Sequence, residues 1–204
     1  MYAIVENNEV KQIITNPKSL VIGDVRYPAK IFELWSKDEK EAIGIYEIVV
    51  DQTNYKDPEY YTNTNSSYNF ADGQVTESWG TATAKRLEDE NAVDDDGNNI
   101  LDDDGNQVIY YGLKTEKKRI VKQQASGLLA PTDWHVVKAT EVADYSVPSN
   151  ITTYRAEVRA KSNEMETQID ACTNVDELKA LYEYTTQEDG TQTRPLAEFP
   201  KEVV

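Results

Sequence analysis

The 204-residue chain carries a single cysteine, Cys172, and a single histidine, His135. With one thiol no intrachain disulfide can form, so folding does not depend on an oxidising compartment. The Cys/His spacing of a zinc site is missing, as are a phosphate loop, a dinucleotide fingerprint and the Gly-x-Ser-x-Gly of a nucleophile elbow. Apolar runs are short, and none approaches the roughly 18 residues a membrane-spanning helix needs. Residues 1–5 have neither the basic start nor the apolar stretch of a secretory signal. The expectation is synthesis in a cytoplasm, with no membrane partner. Positive charge is scarce: 21 Lys and Arg stand against 37 Asp and Glu, a net charge of -16. Such a surface repels phosphate backbones and anionic lipid, which argues against a nucleic-acid partner. No cofactor is expected.

What remains is a polar but globular composition, 39% apolar and 28% charged, with 13 tyrosines. Cys172 lies among apolar neighbours at the end of a predicted helix and reads as a small buried hydrophobe. The order of elements predicts an α+β chain in three parts. Residues 1–87 form a small mixed, β-rich N-terminal region with a β-meander. Residues 88–110 form an acidic, hairpin-like excursion. Residues 111–204 form a helical region with an extended tail.

The first region opens on two β-prone runs, 2–5 and 10–14, separated by Asn7-Asn8, which tolerate a tight turn. A third strand is expected over 21–25. Ser36, with Glu39 three residues on, is a capping box for a short helix, and Gly44 suits its left-handed end. Residues 45–50 read as a strong strand. A meander follows over 60–84, with a turn at Asn65-Ser66 and a hairpin at Asp72-Gly73. Next comes a repeat: Asp94-Asp95-Asp96-Gly97-Asn98 returns as Asp102-Asp103-Asp104-Gly105-Asn106. It predicts an excursion of one or two turns, mobile or near the surface. Asp94, Asp96, Asn98, Asp102, Asp104 and Asn106 alternate oxygen ligands as a calcium loop does, but neither the glycine nor the glutamate of an EF-hand falls in register. Asp-Gly-Asn is also ordinary turn chemistry.

In the last region a helix is expected over 115–129, stopped by Pro131. Residues 134–148 read as a connector with docked apolar side chains. A long helix over 150–171, capped by Ser149 or Asn150, carries the apolar positions Ile151, Tyr154, Val158, Met165, Ile169 and Cys172. They form one narrow stripe, interrupted at Lys161. The stripe is either packed within the chain or the seam of a homo-oligomer. A short helix over 175–184 and an extended, ordered tail over 185–204 complete the chain. His135 reads as a connector residue beside Trp134. Ser126 and Asp133 stay open as triad partners on sequence alone.

The string Leu128-Leu129-Ala130-Pro131-Thr132-Asp133-Trp134, followed by Tyr154-Arg155 and Arg159, resembles the C-terminal pattern of phage tail fibre assembly proteins. That pattern is a Leu-Leu helix end, Thr or Ser before Asp-Trp, a spacer, then Tyr-Arg and a second arginine. The spacer here is longer, and the acidic repeat is outside the pattern. Ile31-Phe32-Glu33-Leu34-Trp35 with Ile43-Gly44-Ile45-Tyr46 is similar to the N-terminal unit of related phage proteins, including those of marine cyanobacterial phages. The resemblance as a whole covers about half the chain. The resemblance implies a non-enzymatic tail or tail-fibre component, located in the virion tail, whose partners are other tail proteins. The alternatives are a fibre-assembly chaperone absent from the virion and a calcium-dependent carbohydrate-binding module. Docking would fall to Trp134, Ile151, Tyr154, Arg155, Val158, Arg159, Met165 and Ile169. Asp133-Trp134 offers a helix cap and an apolar anchor. The two arginines, one helical turn apart, can pair within the chain or grip a partner.

Overall fold

The computed structural model describes residues 1–202 and has the expected α+β architecture, with strands gathered toward the N-terminus and helices toward the C-terminus. The chain divides into two compact units, Met1–Thr83 and Ala84–Val204. The acidic excursion belongs to the second.

In the first unit β1 (Tyr2–Glu6) and β2 (Glu9–Ile14) pair through a two-residue loop. Asn7 and Asn8 both take positive φ, 52° and 62°, the backbone that matches a hairpin's twist. The third strand is instead a small hairpin, β3 (Leu20–Ile22) and β4 (Val25–Tyr27), because Gly23 at φ 59° turns the chain midway through the apolar run. Helices α1 (Ile31–Leu34) and α2 (Lys37–Glu41) follow. The Ser36 hydroxyl accepts from the Glu39 amide while the Glu39 carboxylate accepts from the Ser36 amide, so the capping box closes. Strand β5 (Ile45–Asp51) comes next. Beyond the short β6 (Tyr61–Thr62), β7 (Ser66–Ala71) and β8 (Gln74–Trp79) form the hairpin at Asp72-Gly73. Ser66 is therefore the first residue of a strand, where a turn was expected.

The sheet runs β2-β1-β5-β8-β7, with β5 and β8 parallel. Alternation along the strands gives it two apolar faces. Ile4, Ile14 and Ile45 meet Ile31 and Phe32 of α1 on one face. Ala3, Val5 and Val75 gather Val10, Tyr46, Ile48, Tyr68 and Phe70 on the other. Gly44, at φ 82°, ends the α2 turn against β1. Its carbonyl accepts from the Val5 amide at 2.8 Å, and a Cβ there would lie 2.7 Å from the Val5 carbonyl oxygen.

The second unit begins with β9 (Thr83–Ala84), which straddles the boundary, and the pair β10 (Glu90–Asn91) and β11 (Ile109–Tyr110). Between β10 and β11 the repeat forms exposed turns, as its Asp-Gly-Asn chemistry implies. Its two hairpins close at Val93–Asn99 and Leu101–Gln107. Gly97 and Gly105 share the same φ of 82°. The related residues Ala92, Ile100 and Val108 bond in a cycle. The Ile100 amide donates to Ala92, Val108 to Ile100, and Ala92 to Val108, at 2.8–2.9 Å. The Gln107 side-chain amide donates toward all three carbonyls, at 2.8, 3.2 and 2.8 Å. Backbone groups that a loose turn would leave to water are thus satisfied within the ring.

Helix α3 (Leu113–Leu129) starts two residues earlier than the apolar spacing implied. Its start is held from a distance: Asp89 accepts from the Gly112 amide at 2.8 Å and from the Thr115 hydroxyl at 2.9 Å. Pro131 does not end the helical path. It sits in the first turn of a short 3-10 segment, Ala130–Thr132, where a missing amide hydrogen costs nothing. The chain then continues as α4 (Asp133–Glu141), which replaces much of the expected connector. Helix α5 (Ser149–Ala171) is entered through Pro148 with no side-chain cap, so neither Ser149 nor Asn150 has the expected role. Helices α3 and α5 run antiparallel: Lys118 pairs with Asp170 at 2.7 Å, Lys122 with Glu166 at 3.2 Å, and Arg155 reaches Leu129. Helix α6 (Val175–Ala180) is capped by Asn174 and ends before residues 181–184, which the expected helix included. The tail carries a two-residue hairpin, β12 (Thr185–Thr186) with β13 (Gln192–Thr193). It then docks on α5, where Gln168 accepts from the Ala197 amide at 2.8 Å and donates to Pro195 at 3.1 Å. The expected ordered tail included Val203 and Val204, which lie outside the described residues.

Two predictions follow from this packing. Gly44→Ala should cost about 1–3 kcal/mol, from left-handed strain plus the contact with Val5, read as a lower midpoint in thermal unfolding. Gln107→Ala should speed hydrogen exchange at the Ala92, Ile100 and Val108 amides. Unchanged exchange there would mean that the glutamine does not hold the ring.

Candidate docking site

The Leu-Leu, Thr-Asp and Tyr-Arg residues of the C-terminal pattern are distant in sequence and meet in space. Arg155, 9% exposed as a residue, donates from its guanidinium to the Leu129 carbonyl at 3.0 Å and to the Thr132 hydroxyl, and pairs with Asp133 at 2.7 Å. Thr132 in turn donates to the Leu129 carbonyl at 2.7 Å. The adjacent Tyr154 hydroxyl points to the Leu128 carbonyl at 3.4 Å, and its ring packs with Ala125, Val158, Leu128, Leu129 and Phe199. Burial raises the Tyr154 hydroxyl above its ordinary pKa. One arginine therefore clamps the end of α3 and the start of α4. The Asp133 side chain is 59% exposed. With its carboxylate largely in water the pair is screened and contributes about 1 kcal/mol, whereas a hydrogen bond from a charged group to a partner out of water is worth about 1.5–3 kcal/mol. The bonds to Leu129 and Thr132 therefore dominate.

Asp133 was expected to cap the helix. It is the first residue of α4, pairs with Arg155 instead, and no side chain caps α4. Trp134 was expected to be docked with the other apolar residues of the connector. It is 54% exposed, as is Val137, and Val136 and Val142 are also exposed. Helix α4 buries none of its residues. Trp134 stacks on His135 with ring centres 3.7 Å apart, and the His135 Nδ1 meets the Tyr145 hydroxyl. The Lys138 ammonium lies 4.4 Å from the Tyr145 ring centre and 5.7 Å from that of Trp134. Asp133 pairs with Arg155 and His135 with Tyr145, so the two do not form the acid–base couple left open above. Ser126 is exposed on α3.

The long-helix stripe is filled from inside the chain. Ile151, Tyr154, Val158, Met165 and Ile169 are all buried, and with them Cys172, whose thiol burial pushes up. At the interruption Lys161 pairs with Glu164 at 2.7 Å, and Ser162 takes the buried position. The helix keeps its 3–4 spacing by turning a small polar residue inward. Of the expected docking residues, only Trp134 and Arg159 present surface, Arg159 donating to the Arg155 carbonyl at 3.3 Å.

In the acidic repeat Asp94 and Asp102 act on their own loops. The Asp94 carboxylate accepts from the Asn98 amide at 2.8 Å and the Asp96 amide at 3.0 Å, and Asp102 does the same with Asn106 and Asp104. These bonds hold both carboxyls below their ordinary pKa. Asp94, Asp96, Asn98, Asp102, Asp104 and Asn106 are exposed, and no group of three or more acidic, His or Cys side chains poised for a metal occurs among the described residues.

Sequence reasoning missed Val136, Val137, Lys138 and Tyr145. The available signal was the spacing of Trp134, Val137, Lys138 and Glu141, one helical face directly after a proline that can begin a helix. Comparison with family models, curated proteins and solved structures finds no match to this chain.

Arg155→Met should lower stability by about 2 kcal/mol, since it strips donors from the Leu129 and Thr132 acceptors. Asp133→Asn should cost about 1 kcal/mol, as expected for a pair whose carboxylate stands in water. Chemical denaturation of the two variants checks the order; equal losses would refute the reading of the clamp.

Proposed function

We propose that this chain is a non-enzymatic component of a bacteriophage tail that acts by docking to other tail proteins. The observation that carries the reading is α4, which has Trp134, Val136 and Val137 on its surface and buries no residue. A nine-residue helix has little stability of its own in water, and large exposed apolar side chains clustered on one element are the mark of an interaction surface. The Arg155 clamp supports the reading further. The Thr-Asp-Trp and Tyr-Arg elements, which suggest the tail-protein resemblance, together fix where α4 leaves α3. The pattern then has a physical meaning: it holds an aromatic anchor outward on a rigid corner.

Mass spectrometry of washed, purified particles tests the proposal. The chain is expected in the particle, and Trp134→Ala is expected to remove it while leaving the fold intact. Detection only in infected-cell lysate would favour the assembly-chaperone alternative. Absence from both would overturn the tail assignment.

A further inference from the structure

We infer that the partner covering α4 presents an apolar surface rimmed by arginine or lysine. The inference rests on the docking reading of α4 and adds the chemistry of what docks there. Trp134, Val137, Lys138 and Glu141 share one helical face, at intervals of three, four and seven residues. The only cation on the helix, Lys138, is turned over the Tyr145 and Trp134 rings, where cation–π attraction holds it. Asp133, at the other end, is already neutralised by Arg155. Glu141 and Asp144 are different. Both are exposed and, among the described residues, no cation pairs with either, and Glu141 stands in the last turn of α4. There its charge adds to the negative end of the helix dipole, and the one cation of that turn, Lys138, is turned to the rings and does not pair with it. The apolar anchor at the start of the helix and the two unpaired carboxylates at its end thus ask for two things from one partner: apolar cover for Trp134 and Val137, and a cation about one to two helical turns away. A second copy of this chain, at net charge -16, brings mainly more negative charge.

The full chain, titrated with an amphipathic helical peptide built only of leucine and arginine, tests this. The peptide's leucine–glutamine counterpart serves as reference, and backbone amide shifts map the site. Binding should map to residues 133–145, and Trp134→Ala should weaken it by about tenfold or more, as loss of an anchor does. Glu141→Gln with Asp144→Asn should weaken it several-fold and flatten its salt dependence. A control changes Asp95, Asp96, Asp103 and Asp104 to Asn; these removals, away from α4, should leave affinity within about twofold, as rim charges outside a contact do. Equal affinity for the leucine–glutamine peptide overturns the inference. So does an equal loss in the control, which would mean bulk charge attraction. Self-association of the chain alone that Trp134→Ala abolishes would also overturn it, since a second copy would then cover the face. If the chain is missing from purified particles but the arginine peptide still binds at α4, the tail assignment fails and this inference stands.

Discussion

The second unit depends on one buried guanidinium. Arg155 satisfies the Leu129 carbonyl and the Thr132 hydroxyl where α3 gives way to α4. A helix end leaves its last carbonyls without partners, and burying them unsatisfied is costly. Most helices answer with a glycine turn or with water. Here the neighbouring helix α5 supplies the donor, with Tyr154 beside it reaching toward Leu128. The corner therefore has one geometry. Because α4 springs from that corner with nothing buried beneath it, the same interaction that closes the core sets the direction of an exposed aromatic face.

A second constraint shapes the acidic excursion. With nine carboxylates and no cation between Glu88 and Val108, the segment cannot be held by ion pairs within itself. It is held by backbone. Ala92, Ile100 and Val108 close a cycle of three hydrogen bonds, and Gln107 lies against their carbonyls. The period of the repeat makes this possible, because it returns an equivalent residue to the ring at each pass. Each loop then needs only one Asp to organise its turn, and the other acidic side chains stay in water.

What the sequence made legible is local. Asn7-Asn8 and Asp72-Gly73 have the φ values their hairpins need, Ser36 and Glu39 close their box, and the stripe on α5 is buried at each expected apolar position. These depend on residues a few positions apart. What stayed hidden depends on distant partners. Asp89 starts α3 from 23 residues away, Arg155 is bound 23 residues from Thr132, and β8 joins β5 in parallel after a crossover. The α-helix before Pro131 does end at Leu129, but a proline can also stand in the first turn of the next helical segment, and that second role hid α4. The candidate docking residues were only half legible. Periodicity finds an apolar stripe, but whether a stripe faces the core or a partner is decided by what packs on it. Here α3 and the tail cover the stripe of α5 and leave α4 bare.

The claim that Arg155 holds α4 outward with Trp134 in water is tested most directly by that residue's own fluorescence. In a chain with Trp35→Phe and Trp79→Phe, Trp134 is the sole indole. The account predicts red-shifted emission that acrylamide quenches readily. Blue-shifted emission resistant to the quencher would mean that Trp134 is buried in solution and would contradict it.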